Sequence, residues 1–283
     1  MAFKGMQHDH HEPYWDVIKR IIIESDLVLE ILDSRFVELS RNEEVERLIN
    51  EIGRPVIFVV NKADLVSKDS LKRQVEKLKE QGEVVFLSTK DRSSFKILLA
   101  NIKNIFEKYG KRDKKPIDRF DPKPKFREAT GDIVVGVLGY PNVGKSSIIN
   151  LLAHKKKVQV SRKAGTTRGI QWIKANDNIK LIDSPGVIPL KKEDELRYGL
   201  IGARDADRLK DPEFVADSLI KLFYKTNKNA FEKLYGVELS EDSEKVLEDI
   251  ARKKSYVLKG NNADLNRAAV FLIRDFQRGQ LKF

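Results

Sequence analysis

The stretch Gly139-Tyr140-Pro141-Asn142-Val143-Gly144-Lys145-Ser146 fits the pattern G-x-x-x-x-G-K-S and decides how this chain folds. The apolar run 133–138 precedes it, and a helical pattern over 147–153 follows it. Glycines in such a turn let backbone N–H groups wrap phosphate oxygens, while Lys145 reaches the β- and γ-phosphates. The Ser146 hydroxyl is a suitable Mg²⁺ ligand. The stretch therefore predicts a strand, a phosphate-binding P-loop and a helix.

Five apolar runs rich in β-branched residues each end in polar residues, as the strands of a buried parallel sheet do. The runs are 27–32, 55–60, 84–87, 133–138 and 179–182. Helical patterns separate the early runs, over 12–24, 42–51, 70–81 and 95–109. Residues 171–175 are expected to pair with 179–182 as an antiparallel hairpin. These patterns predict a mostly parallel sheet in a three-layer α/β/α arrangement.

Beyond about residue 195 the strand patterns cease. Helices are predicted over 212–224, 229–235, 242–257 and 263–278. We therefore predict two domains: an α/β domain over 1–194, with an N-terminal arm over 1–11 and a basic Pro-containing linker over 111–127, and a small all-α C-terminal domain over 195–283.

A base-reading motif, Asn61-Lys62-Ala63-Asp64, follows the second run. The Asp64 carboxylate can accept from the N1–H and N2–H₂ groups of guanine, whereas adenine has no matching donors there. Asn61 can bind N7 or brace neighbouring loops, and the Lys62 stem can lie along the ring face. Ser88-Thr89-Lys90 follows the third run and supports the same interpretation. Together these motifs predict a guanine-nucleotide site.

Two further segments are candidates for the metal ion and the γ-phosphate. In Asp183-Ser184-Pro185-Gly186, Asp183 suits a second Mg²⁺ contact through water, and the Gly186 N–H suits the γ-phosphate. Residues 161–169 lie where a switch loop offers a threonine to Mg²⁺, and we favour Thr167, although Thr166 stays open. The predicted GTP-binding residues are Asn61, Lys62, Asp64, Ser88, Thr89, Lys90, Asn142, Val143, Gly144, Lys145, Ser146, Ser147, Thr167, Asp183 and Gly186. Lys145, Thr167 and Gly186 are the predicted catalytic groups.

The composition favours a soluble protein with a polyanionic partner. The 283 residues carry a net charge of +11, and residues 154–174 hold seven Lys/Arg and no acid. A generally Lys-rich solvated surface is the alternative. The chain has no apolar run long enough to span a membrane, and its start lacks the apolar core of a signal peptide. With no cysteine, a reducing compartment such as the cytoplasm is expected.

The base-reading motif precedes the P-loop by more than seventy residues, which reverses the usual order. The motif order resembles that of the circularly permuted GTPases of the YlqF/RbgA and YawG types. Asp33-Ser34-Arg35 stands where those proteins carry Asp-Ala-Arg, and residues 264–269 and 274–279 are similar to the end of their helical domain. The resemblance covers nearly the whole chain. It implies a P-loop GTPase fold and a switch that acts in large ribosomal subunit assembly, binds GTP/GDP, rRNA and pre-ribosomes, and hydrolyses GTP to GDP and phosphate.

The catalytic water has no obvious partner in the sequence. Val187 and Ile188 occupy the place where ordinary small GTPases carry a glutamine, so slow intrinsic hydrolysis is expected. The resemblance implies that Asn142 coordinates K⁺, with hydrolysis raised by K⁺ and by the ribosome, and that a histidine among His8, His10 and His11 can position water. A polar tail or adventitious metal binding is the alternative for these histidines.

Two alternatives on function stay open. The chain can be a hydrolysing switch or a GTP-gated RNA-binding module with negligible hydrolysis. In either, the segment after Asp183 leads directly into the helical domain, so we hypothesise that GTP fixes that domain's orientation. The sequence leaves the oligomeric state open.

Overall fold

In a computed structural model of the protein, the structure describes residues 13–110, 133–153, 170–176, 178–183 and 194–282. Several predicted features lie outside these residues: the arm 1–11 with His8, His10 and His11, the linker 111–127, Thr166, Thr167, Gly186, Val187 and Ile188.

A six-stranded sheet forms the centre of the α/β part, in the order β3-β2-β1-β4-β6-β5. Its strands are β1 (Leu27–Asp33), β2 (Val56–Asn61), β3 (Glu83–Phe86), β4 (Ile133–Leu138), β5 (Gln171–Lys174) and β6 (Ile179–Asp183). All neighbouring pairs are parallel except β5 with β6. Every residue of β1 and β4 is buried, because helices cover both faces of the sheet. The predicted mostly parallel sheet and its antiparallel edge are confirmed.

The sheet also shows how the chain is permuted. From β4 the chain runs through β5 and β6, which build one half of the sheet, while the earlier strands β1, β2 and β3 build the other half. The halves join where β1 pairs with β4, with Glu30 opposite Leu138. The half that carries Asn61-Lys62-Ala63-Asp64 thus comes first in sequence but lies beside the P-loop half in space.

The helices of this part begin and end at identifiable caps. They are α1 (Pro13–Glu24), α2 (Val37–Ser40), α3 (Glu43–Ile52), α4 (Lys68–Val75), α5 (Arg92–Tyr109) and α6 (Lys145–Leu152). Asn42 accepts from the Val45 N–H to start α3, and Gly53 ends it in the left-handed conformation. Helix α4 starts earlier than predicted because Ser67 caps it, and a 3₁₀ turn at Leu78–Glu80 follows its end.

The C-terminal part consists of helices. They are α7 (Glu195–Ile201), α8 (Pro212–Thr226), α9 (Lys228–Tyr235), α10 (Ser243–Lys253) and α11 (Leu265–Gln277). The sequence missed α7, a seven-residue helix with an internal glycine. It also predicted that α10 continues four residues beyond its observed end at Lys253; the helix stops earlier because Ser255 adopts a left-handed conformation and Val257 forms a β-bridge with Ala263.

Helix α7 connects the two parts. Tyr198 and Ile201 pack into the apolar cluster of the sheet, whereas Leu200 packs into the cluster formed by the C-terminal helices. The boundary at 194/195 therefore stays a prediction, since a helix beyond it is shared by both clusters. Among the described residues no helix is long and apolar enough to cross a membrane.

Candidate nucleotide site

The predicted site residues meet at the edge formed by the carboxyl ends of the parallel strands. Asp33 ends β1 and lies opposite Asn61 at the end of β2, and Asp183 ends β6 opposite Val137. The P-loop leaves β4 at this edge. Ligands of open α/β sheets bind at such an edge.

Lys145 lies buried beneath the P-loop. Its ammonium donates to the backbone oxygens of Gly139 at 2.7 Å and Tyr140 at 2.8 Å. Burial lowers the pKa of Lys145 to about 8, while the Asp183 carboxylate opposes the shift. Gly144, at φ 107°, and Asn142, at φ 61°, take the left-handed backbone that turns the loop into α6. The ammonium is thus held at the base of the loop whose N–H groups are predicted to bind phosphate.

The base-reading loop and the P-loop are directly bonded. Asn61 Nδ2 donates to Val143 O at 2.8 Å. A Cβ on Gly144 would lie 2.1 Å from Asn61 Nδ2, so the close approach of the two loops requires glycine there. Of the two roles considered for Asn61, the structure places it as the brace between loops.

Asp64 presents its carboxylate at the mouth of the site. Ser88 Oγ donates to Oδ1 at 2.9 Å, and Lys90 Nζ donates to Oδ2 at 2.8 Å. Partial burial would raise the pKa of Asp64, but the bonds from Lys90 and Ser88 more than offset it and lower the pKa. The carboxylate is therefore ionised and oriented, as guanine recognition requires. Ser88 and Lys90 thus contact Asp64, while Thr89 lines the adjoining cleft.

The residues predicted to hold Mg²⁺ fit that ion. Ser146 is exposed at the first turn of α6, and Asp183 is buried close enough to Lys145 to act on its pKa. Hydroxyl and carboxylate oxygens are hard donors, which Mg²⁺ prefers. Within the described ranges no cluster of three His, Cys, Asp or Glu could hold a metal on its own. The predicted ligand Thr167 lies outside these ranges.

Asn142 makes a contact that its sequence position did not foretell. Its Nδ2 donates to Gly202 O at 2.8 Å, which ties the P-loop to the end of α7. A K⁺ ion would bind the side-chain oxygen of Asn142 rather than this nitrogen. The bond to Gly202 O therefore does not test the predicted K⁺ role, which stays a prediction.

The resemblance pointed to Asp33-Ser34-Arg35 but gave it no role. Asp33 accepts from Arg35 Nη2 and from Lys62 Nζ, each at 2.7 Å, and Ser34 Oγ donates to Lys62 O at 2.7 Å. Burial would raise the pKa of Asp33, yet the charges and bonds of Arg35 and Lys62 lower it to about 2. The sequence feature that could have indicated this role is the pair of charged residues directly after a buried strand. The motif fixes the loop that carries Lys62.

A cleft of about 650 Å³ opens between these loops and the C-terminal helices. Its loop side is formed by Asn61, Lys62, Thr89, Asn142, Gly144 and Ser147. Its other side is formed by Asp205, Ala206, Asp207, Arg208, Arg274, Gln277 and Arg278. The volume lies in the range of small-ligand sites. No sequence pattern indicated this second wall.

Known GTP-binding proteins are similar to this chain in sequence. A family model described as 50S ribosome-binding GTPase matches residues 134–257. The chain is 36% identical over 271 residues to the GTP-binding protein MJ1464 of Methanocaldococcus jannaschii, covering 96% of this chain and 66% of that protein. It is 31% identical to nucleolar GTP-binding protein 2 of Kluyveromyces lactis, covering 94% of this chain and 49% of that protein. The chain thus spans about two thirds of one relative and half of the other.

The fold has solved counterparts. The structure of GNP-bound YlqF from T. maritima superposes with a TM-score of 0.58 at 22% identity, covering 95% of each chain. The GDP-bound structure of the same protein gives 0.59. At this identity the likeness establishes the fold alone.

Proposed function

We propose that this chain is a circularly permuted GTPase of the 50S ribosome-binding GTPase family, and that it binds GTP and hydrolyses it to GDP and phosphate. The observation that carries the proposal is the bond from Asn61 to Val143 O. This bond holds a guanine-reading carboxylate and a P-loop at one edge of the sheet, although they come from different halves of the chain.

Each group has a defined task in this proposal. Asp64 accepts the N1–H and N2–H₂ donors of guanine, and the amides around Gly144 bind the phosphates. Lys145 exchanges its two carbonyl partners for phosphate oxygens and neutralises their charge. Ser146, Asp183 and Thr167 would hold Mg²⁺, which supplies further neutralisation of phosphate charge. The Gly186 N–H would reach the γ-phosphate.

We propose the precursor of the large ribosomal subunit and its rRNA as the partner. The family description names 50S ribosome binding, and a relative is named as nucleolar. The net charge of +11 and the acid-free basic segment 154–174 are suited to a polyanion. A cytoplasmic location and K⁺ as a second cation belong to the same proposal.

Binding is tested by titrating the wild type and Asp64→Asn with GDP, ADP and xanthosine diphosphate in a calorimeter. The variant removes the charge and replaces one accepting oxygen with an NH₂ group that faces a guanine donor, so GDP affinity should fall by about a hundredfold or more. Its amide can donate to the C2 carbonyl of xanthine, so xanthosine diphosphate should bind better than to the wild type. The exposed Asp69→Asn carries the same charge change and should match the wild type. Equal binding of ADP and GDP would contradict the proposal.

A measurement of GTP hydrolysis distinguishes the switch from the alternative, a GTP-gated RNA-binding module with negligible turnover. Val187 and Ile188, which stand in place of a glutamine, favour that alternative. Single-turnover hydrolysis is measured with and without large subunits, in K⁺ and in Na⁺. A switch shows turnover that rises with both K⁺ and subunits. A triple alanine variant at His8, His10 and His11 then tests whether these histidines contribute. Turnover below detection under every condition would favour the binding module.

A further inference from the structure

The segment Arg274-Asp275-Phe276-Gln277-Arg278-Gly279, here called the α11 end segment, packs directly on the base-reading loop. A Cβ on Gly279, which adopts φ +74°, would lie 3.0 Å from Leu65 Cδ1, one residue after Asp64. The Phe276 ring also packs against Phe36, with centroids 5.8 Å apart. The C-terminal helices thus contact the strand ends that carry the predicted nucleotide site.

Arg35 holds this segment in place. Its side chain is fully buried, its Nη1 donates to Phe276 O, and its guanidinium carbon lies 4.4 Å from the centre of the Phe276 ring. A cation at the carboxyl end of a helix is favoured by the helix dipole. The other side of the guanidinium binds Asp33, which also accepts from Lys62 at 2.7 Å. A single buried carboxylate therefore positions both the base-reading lysine and, through Arg35, the α11 end segment.

The segment continues into the cleft, where Gln277 and Arg278 face the predicted nucleotide loops. Gln277 Nε2 donates to Gly199 O at 2.9 Å and to Arg204 O at 3.0 Å, which fixes the wall against the end of α7. Arg274 pairs with Asp207 at 2.5 Å, and Arg208 with Asp205 at 3.9 Å. Both pairs are partly solvent-exposed, so exchanging a carboxylate for a phosphate partner costs little.

The cleft adjoins both the base-reading loop and the P-loop. Asn61, Lys62 and Thr89 line it from the base side, and Asn142, Gly144 and Ser147 line it from the P-loop and the first turn of α6. Among the described residues, those predicted to contact the β- and γ-phosphates or Mg²⁺, Lys145, Ser146 and Asp183, do not line it. A wall here faces base, ribose and α-phosphate, which GDP and GTP share.

We propose that the C-terminal helices form part of the nucleotide site, with Arg208, Arg274 and Arg278 contacting the nucleoside and α-phosphate. Arg35 is the positioning residue that holds this wall. The inference rests on the proposed function, because it takes the ligand to be a guanine nucleotide. The wall contributes equally to GDP and GTP, in contrast to the switch segments, which sense the γ-phosphate.

The test is calorimetric titration of the full chain with unlabelled GDP and a non-hydrolysable GTP analogue. The triple variant Arg208→Ala, Arg274→Ala, Arg278→Ala should bind both about tenfold or more weakly, with the ratio of the two affinities unchanged. Arg252→Ala removes an exposed arginine from α10 that pairs with Glu248, and it should bind as the wild type does. Wild-type affinity in the triple variant, or a loss confined to the GTP analogue, would overturn the inference. A wild type that binds no GDP would instead refute the proposed function.

Hydrogen exchange tests the positioning role of Arg35. GDP should protect backbone amides of residues 274–279 in the wild type. In Arg35→Lys, which keeps the charge but cannot bond to Asp33 and Phe276 O together, that protection should be lost while protection of the P-loop remains. Arg41→Lys is the control, because the Arg41 guanidinium pairs with Glu38 and Glu46 instead. Retained protection of 274–279 in Arg35→Lys would overturn the role of Arg35.

Discussion

Asn61 Nδ2 donates a 2.8 Å hydrogen bond to Val143 O, across 82 positions of the sequence. This bond joins the loop that ends β2 to the loop that ends β4. It brings the predicted guanine-reading motif beside the P-loop, although that motif comes before the P-loop in sequence. It also constrains the neighbouring position 144, where side-chain atoms have no room.

Gly144→Ala should uncouple the two loops. The added Cβ would lie 2.1 Å from Asn61 Nδ2, so the Asn61–Val143 bond cannot persist. We expect at least a tenfold loss of GDP affinity, measured by titration, together with a lower melting temperature. Gly53→Ala is the matched control: at φ +74° it bears the same kind of backbone strain, of about 1–2 kcal/mol, but nothing lies within 4 Å of its Cβ. Equal behaviour of the two variants would mean that strain alone is responsible.

Nucleotide affinity should depend on pH through Lys145. Burial lowers its pKa to about 8, and phosphates nearby would favour the charged form, so nucleotide binding raises the pKa. Affinity is then complete below pH 8 and decreases as pH rises above 8 toward the bound pKa, by up to tenfold per unit. Titrations between pH 7 and 9 measure this. Lys145→Arg stays protonated, so any decrease it shows reports only the nucleotide's own titration. Identical pH profiles would rule out the lysine.

Asp33→Asn should destabilise the fold by about 3–5 kcal/mol, because it leaves the buried Arg35 without its carboxylate. The wild type provides an internal check. The pKa of Asp33 is about 2 in the folded protein and 3.8 ordinarily, so its contribution is complete above pH 3.8 and is lost as pH falls through 2. Urea unfolding at several pH values should show the two proteins converging toward pH 2. A difference independent of pH would contradict this account.

Asn142 substitutions separate its observed contact from its proposed K⁺ role. Asn142→Asp keeps a side-chain oxygen and tolerates φ 61°, but it loses the donor to Gly202 O. Its hydrolysis should still respond to K⁺, whereas Asn142→Ala should turn over equally in K⁺ and Na⁺. Should the alanine variant keep the full K⁺ response, another group must bind the ion.

The sequence predicted the features that depend on local pattern. Apolar runs ending in polar motifs located the strands, and the P-loop and Asn61–Asp64 located the edge where they meet. The sequence did not predict features that depend on contacts between residues far apart in the chain. The bond from Arg35 to Phe276 O spans 241 positions, and no periodicity reports such a contact. Helix α7 was missed because seven residues shared between two clusters give no clear apolar face.

The most direct measurement is a crystal structure of the full chain with GDP. We expect one nucleotide per chain, with the guanine N1–H and N2–H₂ on the Asp64 carboxylate and the β-phosphate on Lys145 Nζ. That result would show that two halves of a permuted sequence bind one ligand. A nucleotide whose phosphates occupy the P-loop while its base lies away from Asp64 would contradict the account.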